Sequence, residues 1–172
     1  MALTLSEEQA FLKDTAQKFA REKTPTTHFR TIRDEENPEC FDREVWKEMA
    51  QQGWSGILIP EEFGGSNFGL AGIGVVIEEL GRTLTPSPLF ATGVLCASLI
   101  KESGSQDQKK ELLTQIATGD ITMAFALEEG PRHNPFSLKL EARKKGNSFI
   151  LNGKKTFVID GGFADKIIVA AK

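Results

Sequence analysis

Met123–Pro135 reads MAFALEEGPRHNP, and Asn147–Lys172 reads NSFILNGKKTFVIDGGFADKIIVAAK. These two stretches decide the fold. Ile121 to Leu127 is a short apolar run of strand length. Leu138 to Lys144 and Ser148 to Leu151 flank Lys145-Gly146-Asn147, which is hairpin chemistry. Asn152-Gly153 is a second tight turn leading into a strand over Thr156 to Ile159. Gly161–Gly162 breaks that strand, and Lys166 to Ala171 begins another. A strand edge without a neighbour exposes unpaired N–H and C=O groups. The chain is therefore expected to be the front part of something larger, or a unit whose sheet a partner closes.

Working outward, the first 120 residues change period and read as helices. Ser6 with Gln9 is a capping box, after which Phe11, Leu12, Thr15 and Phe19 are expected on one buried face. Residues 25 to 39 are polar and bounded by prolines, which predicts a loop. Asp42 is an N-cap, with Phe41 and Trp46 placed for a hydrophobic staple, and Gly53 ends that helix. Trp54 to Gly65, WSGILIPEEFGG, is a connector with a short apolar core. Leu70 to Leu84 repeats Ile73, Val76, Ile77 and Leu80 at helical spacing, with Glu78, Glu79 and Arg82 expected on the other side. Leu89 to Lys101 is almost wholly apolar, as a central bundle helix is. Ser105 with Gln108 opens a last helix, which runs through Ile116 and closes at Gly119. The fold class is α+β: an N-terminal all-α helical bundle over residues 1–120, then the first strands of an antiparallel β-barrel-like domain over 121–172.

Composition narrows the function classes. Hydrophobic residues make up 40% and charged residues 26%, as in soluble globular proteins, and the net charge of -3 gives no reason to expect a nucleic-acid partner. No apolar run approaches membrane-spanning length. Cys40 and Cys96 have neither disulfide-framework nor metal-site spacing, which fits a reducing cytosol and a cytoplasmic location. No metal ligand set is legible. His28 and His133 lack ligand-spaced neighbours and read as surface histidines. Glu61-Glu62 reads as a solvated loop. Glu128-Glu129, at a strand end, is either a pair over a cleft with shifted pKa values or an exposed terminus. The glycine pairs fit neither dinucleotide nor P-loop spacing. The residues alone reach an α+β protein with a cleft between bundle and sheet.

The order of segments resembles a known family. An amphipathic first helix, GWSGILIPEEFGG, IGVVIEELGR, MAFALEE and ILNGKKTFVIDGGFADKIIVAA follow one another as in the N-terminal helical domain and the start of the middle β-domain of the flavin-dependent acyl-CoA dehydrogenases. The resemblance implies an FAD enzyme that oxidises an acyl-CoA thioester to its 2,3-enoyl form. A glutamate removes the α-proton and the β-hydrogen leaves as hydride. It implies electron-transferring flavoprotein as acceptor, and a homodimer, a homotetramer or a hetero-oligomer with a homologous subunit. The family's C-terminal helical domain, which carries the catalytic glutamate, has no counterpart in this chain, so no catalytic residue is assigned.

The resemblance places FAD against Phe125, Leu127, Glu128, Asn134, Phe157 and Ile159. Substrate falls against Asn134, and against Val94 and Leu95 on the greasiest helix. At two positions the family pattern's threonine is missing. Glu128 stands where the family's L-T-E-P has a threonine. Ile159 stands where K-x-W-I-T-N has one, and Phe157 replaces its tryptophan. The implied function is α,β-dehydrogenation of an acyl-CoA. The alternatives are a weakly catalytic or non-catalytic partner subunit of a heteromeric dehydrogenase, and a flavin monooxygenase of the same fold.

Overall fold

The structure, a computed structural model, describes residues 4–172. Six helices precede four short strands. Helix α1 (Glu7–Lys23) starts at the expected capping box: the Gln9 N–H donates to Ser6 Oγ and the Ser6 N–H to Gln9 Oε1. Its buried face is Ala16, Phe19 and Ala20, with Leu12 half-buried. Phe11, expected on that face, is largely exposed. The stripe is rotated because α1 packs through its small alanines.

Residues 26–34 correct the loop expectation: Thr26–Asp34 is helix α2. Pro25 sits just before its first turn, where the missing N–H costs nothing. Phe29 and Ile32 are only half-buried, so the apolar stripe that would have announced it is weak. Helix α3 (Arg43–Gln51) is capped by Asp42, which accepts the N–H groups of Glu44 and Val45, and it buries Val45, Trp46, Met49 and Ala50.

The connector is two single 3₁₀ turns, Trp54–Gly56 and Glu61–Phe63, around buried Ile57, Leu58 and Ile59. At Gly65 a Cβ would lie 2.0 Å from the Ile59 carbonyl oxygen, so only glycine lets the chain fold back here. Helix α4 (Gly69–Arg82) runs along α1. Glu79 is buried in their interface rather than on the solvent side. Its carboxylate meets Arg82 Nε at 3.1 Å, Gln17 Nε2 at 3.3 Å and Lys13 Nζ at 3.7 Å. A buried carboxylate persists only when paired this way.

Helix α5 is wound as a π-helix over Leu89–Cys96 and as an α-helix over Ala97–Ser103. Helix α6 opens at Gln106–Gln108 behind the Ser105 capping box. It passes through a π-wound Lys109–Leu113 and ends at Thr114–Ala117. Gly119 follows with φ +68°. Two apolar clusters form the core, one around Trp46, Met49 and Trp54 and one around Ile59, Leu113 and Ile116.

The strands are β1 (Met123–Ala126), β2 (Ala142–Lys145), β3 (Ser148–Leu151) and β4 (Lys166–Val169). β2 and β3 form the expected antiparallel hairpin, with Gly146 at φ +61° in the first loop position. β1 pairs with β4 in parallel, Met123 opposite Lys166 and Ala126 opposite Val169, where an antiparallel partner was expected. No closed barrel forms among the described residues. Asp165 pins the parallel register: its Oδ2 accepts the Thr122 N–H at 2.7 Å and the Thr122 hydroxyl at 2.9 Å. Thr156 to Ile159 is not a strand. Phe157 (φ +52°) and Asp160 (φ +59°) lie in the left-handed region, which ends any extended ladder. The strand expected over Leu138 to Lys144 is confined to Ala142–Lys145.

Candidate functional site

The site grows from the joint between α5 and β1. Thr92, fully buried in the π-wound part of α5, donates to the Met123 carbonyl at 3.1 Å and accepts the Met123 N–H at 2.8 Å. One hydroxyl thus satisfies both main-chain groups of a strand residue. π-Winding of this kind is frequent at functional sites. On the neighbouring surface, Val94 and Leu95 share an apolar cleft of about 320 Å³ with Phe125 of β1. Ser98, Leu99 and Glu102 complete its wall. Helix α4 contributes none of these residues.

At the far end of β1 the chain forms a second, polar cleft of about 460 Å³, with Glu128, Glu129 and Asn134 in its wall. Both carboxylates are turned into the protein's own hydrogen bonding. Glu128 Oε2 accepts the Asn134 N–H at 3.1 Å, and Oε1 meets His133 Nδ1. The Asn134 amide, and then His133, hold the Glu128 carboxyl below the usual range. Glu129 Oε1 meets Lys155 Nζ at 2.9 Å and accepts the Leu140 N–H at 3.0 Å, while Oε2 accepts the Lys139 N–H at 2.7 Å. Lys155, followed by the Leu140 amide, lowers the Glu129 carboxyl to about 2. Lys155 Nζ also donates to the Leu127 carbonyl at 3.0 Å. The Thr156 N–H donates to the Glu128 carbonyl at 2.8 Å and its hydroxyl to the Gly130 carbonyl at 3.1 Å. Leu127, Glu128 and the segment 155–156 are therefore one hydrogen-bonded unit.

Phe157 follows directly, 75% exposed and left-handed. Such a conformation is strained for a bulky residue and is found where the surroundings impose it, commonly at functional sites. Its ring is free to stack on a planar group. Ile159 is exposed and carries no hydrogen-bonding side chain. Asp160, which the sequence reading passed over, is partly buried, and burial raises its carboxyl above the usual range. Burial, with Asp160 nearby, pushes the Cys96 thiol up to about 12, so that sulfur is inert. His28 is half-buried, with Nε2 3.4 Å from Asp42 Oδ2.

Comparison with known proteins gives this arrangement a family. The sequence profile of the acyl-CoA dehydrogenase N-terminal domain matches residues 6–120. Mitochondrial isovaleryl-CoA dehydrogenase of Pongo abelii is 35% identical over 171 residues, which is 98% of this chain and 40% of that protein. The solved acyl-CoA dehydrogenase of Geobacillus kaustophilus superposes with a TM-score of 0.85 at 29% identity, covering 100% of this chain and 45% of that one. The ChsE4-ChsE5 complex from Mycobacterium tuberculosis gives a TM-score of 0.86 at 26% identity, with 100% and 46% covered. The chain belongs to the acyl-CoA dehydrogenase family. It spans less than half the length of each of these relatives. No helix among the described residues is long and apolar enough to cross a membrane.

Proposed function

We propose that this chain is the N-terminal part of an FAD-dependent acyl-CoA dehydrogenase, with the bundle over 1–120 and the start of the β-domain over 121–172. The observation that carries this reading is the apolar cleft that Val94 and Leu95 share with Phe125. It is an apolar slot of acyl-chain character beside the strand that leads to Leu127, Glu128 and Phe157. Flavin, when bound, supplies the hydride acceptor. The fit of the residues to FAD is partial. Phe157 offers an exposed ring for the isoalloxazine, and the Leu127–Glu128 main chain, clamped by Lys155 and Thr156, offers a fixed edge beside it. Glu128 and Ile159 offer no neutral hydroxyl, and Glu128 is engaged with its own loop. The part of this chain is to bind, orient and exclude water. Asn134 stands near both cofactor and substrate, and none of its residues is given the proton-abstracting role. Electron-transferring flavoprotein is the proposed acceptor and an oligomer the proposed assembly. Free cysteines at positions 40 and 96 suit a reducing compartment such as the cytoplasm.

A second reading has its own support. An anionic Glu128 and an aliphatic Ile159 at the two departing positions suit a partner subunit of a heteromeric dehydrogenase that holds flavin weakly. The visible spectrum of the purified chain at verified intact mass separates the two. A flavin band near one per chain supports the first. Flavin-free protein that binds tightly to a flavin-bearing homologue supports the second. Within the first reading, Val94→Phe should shorten the longest acyl chain accepted while leaving the fold intact. An unchanged preference would remove the acyl role from this cleft.

A further inference from the structure

The arm from Phe157 to Ala164 is held firmly at both ends and unsettled in the middle. Before it, Thr156 is tied to Glu128 and Gly130. After it, Asp165 accepts both donors of Thr122 through Oδ2, and its Oδ1 lies 3.7 Å from Arg43. Between these ties the chain makes a tight turn. The Gly161 N–H donates to the Val158 carbonyl at 3.1 Å, and the Phe163 and Ala164 N–H groups donate to the Asp160 carbonyl at 3.4 and 3.2 Å. The turn seats the Phe163 ring against Phe41, with 4.9 Å between centroids, at the edge of the bundle core.

Asp160 does not suit this seat. The carboxylates of Glu128, Glu129 and Asp165 all have donors, whereas that of Asp160 has no hydrogen bond or ion pair with any described residue. Yet the residue is half-buried, on a left-handed backbone (φ +59°). Cys96 faces it from α5 as a neutral thiol. The charged groups around the arm are engaged elsewhere: Arg43 of α3 with Glu39 and Asp165, Lys155 with Glu129, and Lys166 of β4 with Glu111. A carboxylate buried without a partner resists ionisation, and burial is what raises Asp160 above its ordinary 3.8. Below 3.8 the group is neutral whether the arm is seated or free, so no charge opposes seating. As pH rises through the raised value of the seated arm, a penalty grows that is complete above it.

We propose that residues 157–164 form a pH-sensitive latch, with Phe163 as its catch on Phe41 and Asp160 as the group whose ionisation loosens it. Protonation tightens the catch, and ionisation frees the arm that carries the exposed Phe157 ring. The latch does not rest on the dehydrogenase reading, because it uses only contacts between the arm and the bundle.

Amide exchange of the full chain, followed by NMR and corrected for its intrinsic pH dependence, tests it at the Gly161, Phe163 and Ala164 N–H groups. From about pH 4 to about pH 7 these three should lose protection while the amides of α3 do not. The midpoint of that loss should coincide with the titration midpoint of the Asp160 carboxyl carbon in the same sample. Asp160→Asn keeps the shape and removes the charge. It should protect the three amides about twofold or more better than wild type at about pH 7, and flatten their pH profile. Phe163→Ala removes the catch and should speed the same amides at both ends of the range. Wild-type amides that ignore pH overturn the latch, as does a pH profile that survives Asp160→Asn. So does a midpoint apart from that of the Asp160 carboxyl, which is read without any variant, and so does unchanged protection in Phe163→Ala.

Discussion

The helical bundle and the strand segment are closed by different physics. The bundle buries its own apolar side chains: Trp46, Trp54, Met49, Ile59, Leu113 and Ile116 are all sealed from solvent. Full burial of a side chain of that size contributes about 1.5–3 kcal/mol. Beyond Ala126, Leu140 is the one apolar side chain buried among the described residues, while Phe149, Ile150, Leu151 and Phe157 are exposed. What holds this segment is polar: Asp165 on Thr122, Lys155 and two amides on Glu129, and Thr156 on Glu128 and Gly130. A region held by water-accessible hydrogen bonds opens at lower free energy than one held by buried area. The lesson is a division of labour, with the bundle as scaffold and main wall of the apolar cleft, and the strand segment as the adjustable surface that carries the polar one.

The sharpest attempt to break this contrast is Trp54→Ala. Trp54 is fully buried with Phe19 edge-on at 4.9 Å. Its loss should cost about 3–5 kcal/mol in a urea melt, and a cost under 1 kcal/mol would mean the bundle core is not the scaffold. Next comes the joint itself. Thr92→Val removes both hydrogen bonds to Met123 and should cost about 1–3 kcal/mol. Amide exchange should quicken through β1 and leave α1 to α3 untouched. Exchange rising equally everywhere would deny a boundary there. Asp42→Ala removes the α3 cap and should cost about 1 kcal/mol, confined to the bundle. The mildest perturbation is acid. Glu129 titrates at about 2 in the fold against an ordinary 4.5. Its contribution is therefore complete above pH 4.5 and is lost as pH falls from 4.5 toward 2. Over that window, exchange corrected for its intrinsic pH dependence should open residues 128–140 and 154–160 before the bundle. Simultaneous opening would merge the two regions.

The same contrast explains what could be read in the sequence. Caps are local chemistry, so Ser6 with Gln9, Asp42, and Ser105 with Gln108 were legible three residues at a time. The long apolar stripe of α4 was equally plain, and the order of bundle then strands followed from the change of period. Helix α2 escaped because its stripe is only Phe29 and Ile32 between prolines. Glu79 escaped because what makes a buried carboxylate tolerable is partly Lys13 and Gln17, more than sixty residues away. The strand expected at Thr156 failed because nothing in the residue type of Phe157 announces a left-handed backbone. At the candidate site, Glu128-Glu129 could be recognised as carboxylates at a strand end. Their partners His133, Lys155 and the amides of Asn134, Lys139 and Leu140 could be found only in three dimensions.

The π-winding at the start of α5 has a consequence for how this sequence can vary. An α-helix turns about 100° per residue. A π-wound stretch behaves as an α-helix with an extra residue held in it. Deleting one residue between Leu89 and Cys96 would let the helix relax to α with Cys96, Ala97 and Ile100 still facing the core. Deleting one from the regular turn Ala97–Ser103 has no such slack to draw on and would swing the residues after it by about 100°. A single-residue loss is therefore tolerable in the first half of α5 and not in the second. The exposed run Arg132–Asn134 can be lengthened without disturbing any packed side chain. Length changes in this chain should therefore collect in the π-wound stretch before β1 and in the exposed loop after it, and be barred from the regular helix between them.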